Sequence, residues 1–132
     1  MSVKAVLIEP NRHLRDQLAE AVRRTGFTLA ACYDWATLAA LTEIAVIGPQ
    51  LVIFPMMQGH SGQWRLVRQL QTAAIPPVLM ALSPVDIPAI RQSALAEGVH
   101  HVFDPLLEVD GFLAALAGLA QQMSDVRRQQ VA

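Results

Sequence analysis

The chain has 132 residues, of which 53% are hydrophobic and 16% charged, with a formal net charge of −1. This length suits one domain with a substantial core, and the balanced charge gives no electrostatic reason to expect binding to DNA. No apolar run approaches a membrane span and the N-terminus lacks a signal-peptide core, so we expect a cytoplasmic protein without a membrane partner. The single cysteine, Cys32, excludes an internal disulfide and is predicted to be a buried thiol.

Five short apolar runs alternate with segments of helical periodicity. The runs predict strands at Lys4–Glu9, Phe27–Cys32, Leu51–Phe54, Val78–Leu82 and Val99–Phe103. Asn11, Asp34 and Pro88 are suited to begin the helices after the first, second and fourth runs. Gly26 is suited to end the first helix, and a last helix is predicted from about Val109. Connections this short allow only parallel crossovers, which predicts a three-layer α/β fold.

The stretch 49–62 is the one around which such a sheet would be organised. Residues 51–54 are continuously apolar, which is typical of a central strand covered on both faces. Ligand sites in open α/β sheets form just beyond the carboxyl ends of these strands. At that point the chain has Phe54, Pro55 and two methionines, with no carboxylate, thiol or imidazole before His60. The expected place for chemistry therefore lacks reactive side chains.

Several motifs in the same order resemble those of response-regulator receiver domains. Glu9-Pro10-Asn11 stands where that family has an acidic pair and a polar residue, and 49–53 resembles its Pro-Asp-Leu-Val-Ile. Met57, Gly59 and Gly62 resemble its loop after the third strand, 77–83 its fourth strand, and Asp104-Pro105-Leu106 its Lys-Pro-Phe. The resemblance covers about residues 3–120. It implies a doubly wound, flavodoxin-like (βα)5 fold with five parallel strands in the order 2-1-3-4-5.

The resemblance also implies a phosphorylation site, which this chain does not preserve. Receiver domains accept a phosphoryl group on an aspartate that ends the third strand, beside Mg²⁺ held by that aspartate and the acidic pair. A lysine and a threonine or serine complete the pocket. The corresponding positions here are Glu9 and Pro10 for the acidic pair, Phe54 or Pro55 for the acceptor, Ser83 for the hydroxyl and Asp104 for the lysine. We interpret the chain as a degenerate pseudo-receiver and expect no metal, cofactor or enzymatic activity.

The leading hypothesis is a signalling domain that is not phosphorylated and acts through a protein partner or a homodimer, in signal transduction or transcriptional regulation. Residues 79–106 also resemble the pseudo-receiver of amidase-operon antiterminators, which bind RNA through a further helical domain. No such domain follows here, so RNA binding is not expected. The alternative is a phosphorelay receiver whose acceptor is displaced to Glu9 or Asp104. The resemblance further implies a cis Asp104–Pro105 bond.

Two other patterns are weaker. His100 and His101 are adjacent on a predicted strand, so their side chains point to opposite faces and do not chelate a metal simply. Residues 59–62 are similar to part of a hydrolase nucleophile elbow, but Gln63 replaces its last glycine and no acid followed by a histidine completes a triad. Neither a metal site nor a hydrolase is expected.

The last predicted helix carries apolar residues at heptad spacing. Phe112, Leu116, Leu119, Met123 and Val126 are separated by four, three, four and three positions. The first part of this row would pack on the sheet whatever the function. Residues 1–120 would then form the receiver-like domain, and residues 121–132 either a helical extension that pairs with another copy or a frayed tail.

Overall fold

Strands and helices alternate through the chain. The computed structural model describes residues 3–56, 62–83 and 87–131. The strands are β1 (Val3–Ile8), β2 (Phe27–Tyr33), β3 (Leu51–Pro55), β4 (Val78–Leu82) and β5 (His101–Phe103). The helices are α1 (Arg12–Arg24), α2 (Leu38–Ile47), α3 (Gly62–Gln71), α4 (Pro88–Ala96) and α5 (Val109–Val131). The loop residues Met57, Gly59, His60 and Ser61, singled out in the sequence, lie outside the described residues.

The five strands form one parallel sheet in the order β2-β1-β3-β4-β5, as predicted. β3 is central and is fully buried from Leu51 to Phe54, which confirms the inference from its apolar run. β3 extends to Pro55, one residue further than predicted, and Pro55 pairs with Leu82 of β4. The Met56 N–H donates to the Leu82 carbonyl, so the nitrogen of the preceding residue, Pro55, points away from β4 and towards the side of β1. The pairing of β3 with β1 ends at Ile53, before Pro55 is reached. The missing N–H of proline therefore costs no ladder bond.

Alternate residues of the strands enter two separate cores. The first core lies between the sheet and the helices α1 and α5, which contribute residues such as Leu18 and Phe112. The strands supply Ala5, Leu7, Leu51 and Ile53 to it. Val6, Ile8, Val52 and Phe54 pack on the opposite face against α2, α3 and α4. This two-sided burial is the reason that the strands read as unbroken apolar runs. No helix among the described residues is long and apolar enough to cross a membrane.

Local capping explains where the helices begin and end. Asn11 Oδ1 accepts a hydrogen bond from the Leu14 N–H at 2.9 Å, which confirms it as the cap of α1. Gly26, with φ +109°, follows the end of α1 as predicted. The predicted cap of α2 is wrong: Thr37 caps this helix, whereas Asp34 Oδ1 accepts from the Trp35 N–H in the preceding turn.

Two further expectations are corrected at the sheet edges. Cys32 is exposed rather than buried, because β2 is an outer strand whose residues are only partly covered beyond Phe27. β5 begins at His101 instead of Val99, because the Val99 N–H donates to the Ala94 carbonyl at the end of α4. A strand at a sheet edge is less regular than the uniform apolar run suggested.

Candidate functional site

The carboxyl ends of the strands meet along one edge of the sheet, where all six predicted pocket positions fall. The strand register places Leu82, at the end of β4, beside both Pro55 of β3 and Phe103 of β5. At the other end of this edge, the Glu9 N–H after β1 donates to the Tyr33 carbonyl of β2 at 2.9 Å. Glu9 and Pro10 follow β1, Phe54 and Pro55 end β3, Ser83 follows β4 and Asp104 follows β5. The polar or charged residues buried in the described part of the chain are Glu9, Ser83 and Asp104, and all three lie at this edge.

The two candidates for the acceptor position have different surroundings. Phe54 is fully buried in the core beneath α2, α3 and α4, and Met56 is buried in the same cluster. Pro55 is partly exposed at the end of its strand. Neither side chain carries an oxygen, so neither can accept a phosphoryl group or bind a metal ion. Phe54 and Met56 fill their side of this edge with apolar volume.

Glu9 is a buried acid with limited compensation. The residue keeps 6% of its accessible surface. Burial raises the pKa of the Glu9 carboxyl, opposed by a hydrogen bond from the Asn11 N–H and by the positive charge of Arg15. The Arg15 guanidinium also donates to the Glu9 carbonyl at 2.9 Å, which ties α1 to the end of β1. Glu9 is thus an acid that retains its proton more readily than an exposed glutamate.

Asp104, at the lysine position, is held by the backbone of the turn that follows it. Its Oδ1 accepts from the Leu106 N–H at 2.9 Å and from the Leu107 N–H at 3.0 Å. The Asp104 carbonyl accepts from the Glu108 N–H at 2.8 Å. The Asp104–Pro105 bond is trans, because no peptide bond among the described residues is cis, so the implied cis bond is wrong. The carboxylate therefore acts as a cap for this turn.

Arg91 and Glu108 complete an ion-pair network that the sequence reasoning missed. Glu108 Oε1 lies 2.6 Å from Arg91 Nη2 and also accepts from the Asp104 N–H at 2.8 Å. Hydrogen bonding to Arg91 is the main cause that lowers the pKa of the Glu108 carboxyl, with the Asp104 N–H second. A glutamate four residues after an aspartate, one position further than in a capping box, is the signal that could have indicated it. The network fixes α4 to the turn before α5.

The donor set does not fit Mg²⁺. Such a site needs several oxygen ligands around one ion, commonly two carboxylates with water and phosphate oxygens. Glu9 is a single carboxylate, Asp104 is engaged with backbone amides, and position 54 or 55 offers no oxygen. Within the described ranges, no three residues of histidine, cysteine, aspartate or glutamate are grouped as metal ligands.

The heptad row on α5 divides between core and surface. Phe112, Leu116 and Leu119 are buried against the sheet, as expected for the first part of the row. Met123 is half-buried against the same cluster, and Val126 is 52% exposed. α5 is helical as far as Val131, so residues 121–131 continue the same helix. If this row formed a dimer seam with another copy of the chain, Val126 would be its residue with a substantially exposed side chain.

Comparison with known proteins supports the fold. No family model and no curated protein matches the chain. The receiver domain of the response regulator AraT from Geobacillus stearothermophilus matches with a TM-score of 0.72 and 14% identity, over 94% of this chain and 99% of that one. The receiver domain of the putative regulator NarL from Mycobacterium tuberculosis matches with a TM-score of 0.76 and 17% identity, over 91% and 97%. The response regulator domain of Thermotoga maritima CheB gives 0.72 and 12%, over 92% and 96%.

These matches define the class of structure: the chain has the flavodoxin-like α/β fold of response-regulator receiver domains. At identities between 12% and 17% the likeness is one of fold.

Proposed function

We propose that this chain is a receiver-like signalling domain that is not phosphorylated and acts by protein–protein interaction. The observation that carries the proposal is the composition of the carboxyl edge. Phe54 and Pro55 end the central strand, and the Asp104 carboxylate is bound by two backbone amides. Phosphoryl transfer depends almost wholly on positioned charge and metal. The apolar end of β3 provides neither a charged acceptor nor a metal ligand, and the Asp104 carboxylate is already bound to backbone amides. Both requirements are therefore unmet.

The similar structures suggest the setting in which such a domain works. They include a chain described as a DNA-binding response regulator from Staphylococcus aureus and the signal receiver domain of a putative repressor from Vibrio parahaemolyticus. We therefore place this chain in signal transduction or transcriptional control, and assign it no enzymatic activity, cofactor or nucleic-acid contact of its own. With a net charge of −1 it has no electrostatic preference for DNA or RNA.

Incubation with a small phosphodonor such as acetyl phosphate and Mg²⁺, followed by intact-mass measurement, tests the absence of phosphorylation. The expected result is an unchanged mass under conditions that phosphorylate a receiver domain with an intact pocket, run in parallel. An added phosphoryl mass on the unmodified chain would contradict the proposal.

A second candidate is a receiver with a displaced acceptor, and the presence of two acids at the carboxyl edge is the observation that favours it. Glu9 and Asp104 are the acids concerned. If either accepted a phosphoryl group, the added mass would vanish in Glu9→Gln or in Asp104→Asn and persist in the other variant. Their burial and their hydrogen bonds to backbone amides argue against attack on a donor molecule.

The surface best suited to a protein partner lies where β5 leads into α5. Leu106 and Leu107 are 74% and 73% exposed, and Leu113 on α5 is also exposed. Exposed leucines in one region favour protein contact over solvent. We propose that a second copy of this chain binds this surface, which light scattering over a range of concentrations tests. A mass that rises with concentration supports a homodimer, and a constant monomer mass would reject self-association through this surface.

A further inference from the structure

His100 precedes β5 and makes two hydrogen bonds to a single residue of β4. Its backbone N–H donates to the Leu79 carbonyl at 3.0 Å. Its ring Nδ1 accepts from the Leu79 N–H, also at 3.0 Å. The imidazole thus acts as a strand carbonyl would, pairing a backbone donor one residue before β5 begins.

This arrangement requires a particular form of the ring. A ring nitrogen accepts a hydrogen bond only while it carries no proton, so His100 must be neutral with its proton on Nε2. Leu79 is 1% exposed whereas His100 is exposed, so the ring is the acceptor for a backbone donor that is otherwise buried. A proton on Nδ1 would set two donors against each other and leave the Leu79 N–H unpaired.

β5 has few other attachments. It comprises three residues, lies at the edge of the sheet and pairs with β4 alone. Beyond its ladder, the Ser83 N–H donates to the Phe103 carbonyl at 2.9 Å, and Arg91 Nη1 donates to the Val102 carbonyl at 3.4 Å. The two bonds of His100 therefore form a large share of what holds this edge at its amino end.

The fold also favours the neutral form of the neighbouring residue, His101. Its ring is half-buried and stacks on Phe103 with a centroid separation of 6.3 Å. Burial first, and then the charge of His100, lower the pKa of the His101 imidazole below its usual 6.5. The folded chain therefore resists this proton more than the unfolded chain does, and stability is lost as the pH falls below about 6.5.

The charged groups on the neighbouring elements are few. β4 has none, and α4 carries Arg91, which is paired with Glu108. α3 carries Arg65 and Arg68, and its last residue, Gln71, donates to the Glu97 carbonyl in the turn that precedes His100. Glu97 is the carboxylate nearest to His100 in the chain.

We propose that His100 is a proton-sensitive clasp between β4 and β5. At neutral pH its ring holds the edge strand, and uptake of a proton on Nδ1 releases the Leu79 N–H and loosens β5. The clasp would let acidity alter the turn and the exposed leucines that follow β5. It operates without phosphorylation and does not depend on the function proposed above.

Amide NMR of the ¹⁵N-labelled full chain between pH 8 and pH 5 tests the clasp. The Leu79 amide shift should move with the same midpoint as the His100 ring. Its protection from hydrogen exchange, corrected for intrinsic rates, should fall about tenfold relative to the Met80 amide, which points to the opposite side of the strand, towards β3. His100→Asn places an amide oxygen where Nδ1 lies and cannot titrate, so the Leu79 response should disappear. His101→Phe, the matched variant, should retain it.

Three results would overturn the proposal. The first is a Leu79 amide that does not respond to pH in the unmodified chain. The second is an equal response in His100→Asn, or its loss in His101→Phe. The third needs no variant: ¹⁵N shifts showing that the neutral His100 ring carries its proton on Nδ1.

Discussion

Truncation of Phe54 measures how far the apolar end of β3 belongs to the core. The side chain is fully buried among residues of α2, α3 and α4. Phe54→Ala should lower the free energy of unfolding by about 3–5 kcal/mol, the usual cost of deleting a buried phenylalanine. A chain of 132 residues has an unfolding entropy of about 280 cal/mol/K, so the melting temperature should fall by about 10–20 °C. Pro55→Ala is the matched control and should cost about 1 kcal/mol or less, because Pro55 is only half-buried.

The assay is urea denaturation followed by circular dichroism, together with a thermal scan. Both variants should unfold cooperatively with an unchanged dependence on urea, so that the midpoints report stability alone. A loss below about 1 kcal/mol for Phe54→Ala, or a larger loss for Pro55→Ala, would refute the assignment of Phe54 to the core.

Aspartate at the same two positions extends the comparison. Phe54→Asp places an unpaired carboxylate in an apolar cluster and should abolish folding, whereas Pro55→Asp, at the strand end, should fold. Neither should become phosphorylated by a small donor, because the paired acid and the lysine are missing as well. A phosphoprotein from Pro55→Asp would show that the rest of the pocket is competent.

Three smaller predictions follow from individual side chains. Because burial raises the pKa of Glu9, the folded chain loses stability as the pH rises above about 4.5, so Glu9→Gln should melt higher at pH 7 and show little difference at pH 4. Tyr33, the single tyrosine, donates to Glu43 at 2.5 Å, and burial followed by this contact raises its pKa to about 12. The ultraviolet titration of the phenol should therefore shift towards about 10 in Glu43→Gln. Val126→Asp, like deletion of residues 121–132, should weaken any self-association seen by light scattering, whereas Arg128→Asp on the opposite side of α5 should not; an equal loss in both would reject the seam.

The order of elements could be predicted because it is encoded locally. The inner strands β1, β3 and β4 are covered on two faces and therefore appear as apolar runs, while each helix has one buried stripe and therefore a period near 3.6. The five predicted strands, the Asn11 cap and the Gly26 end are confirmed by the structure. The sheet order came from the resemblance to receiver domains, and the strand pairing confirms it.

The wrong predictions concern features that the local sequence pattern does not determine. Asp34 and Thr37 are both good caps, and the preceding turn, which occupies Asp34, leaves Thr37 to begin α2. Cys32 lies in an apolar run but at an outer strand, where coverage depends on which helices reach it. A cis bond before Pro105 was inferred from a lysine-containing motif, and here an aspartate caps the turn instead.

The alternation of strands and helices and the apolar end of the central strand could be derived from the order of the residues alone. Both depend on residues that are close in sequence, because burial on one or two faces of an element produces a characteristic spacing of apolar residues. The tertiary structure decided how the carboxyl edge is held: Arg91 reaches Glu108, Glu108 reaches the Asp104 amide, and His100 reaches Leu79. Most of these contacts join a side chain to a residue of another element, at a distance and angle that only the packing of helix on sheet sets. No periodicity in the sequence records them.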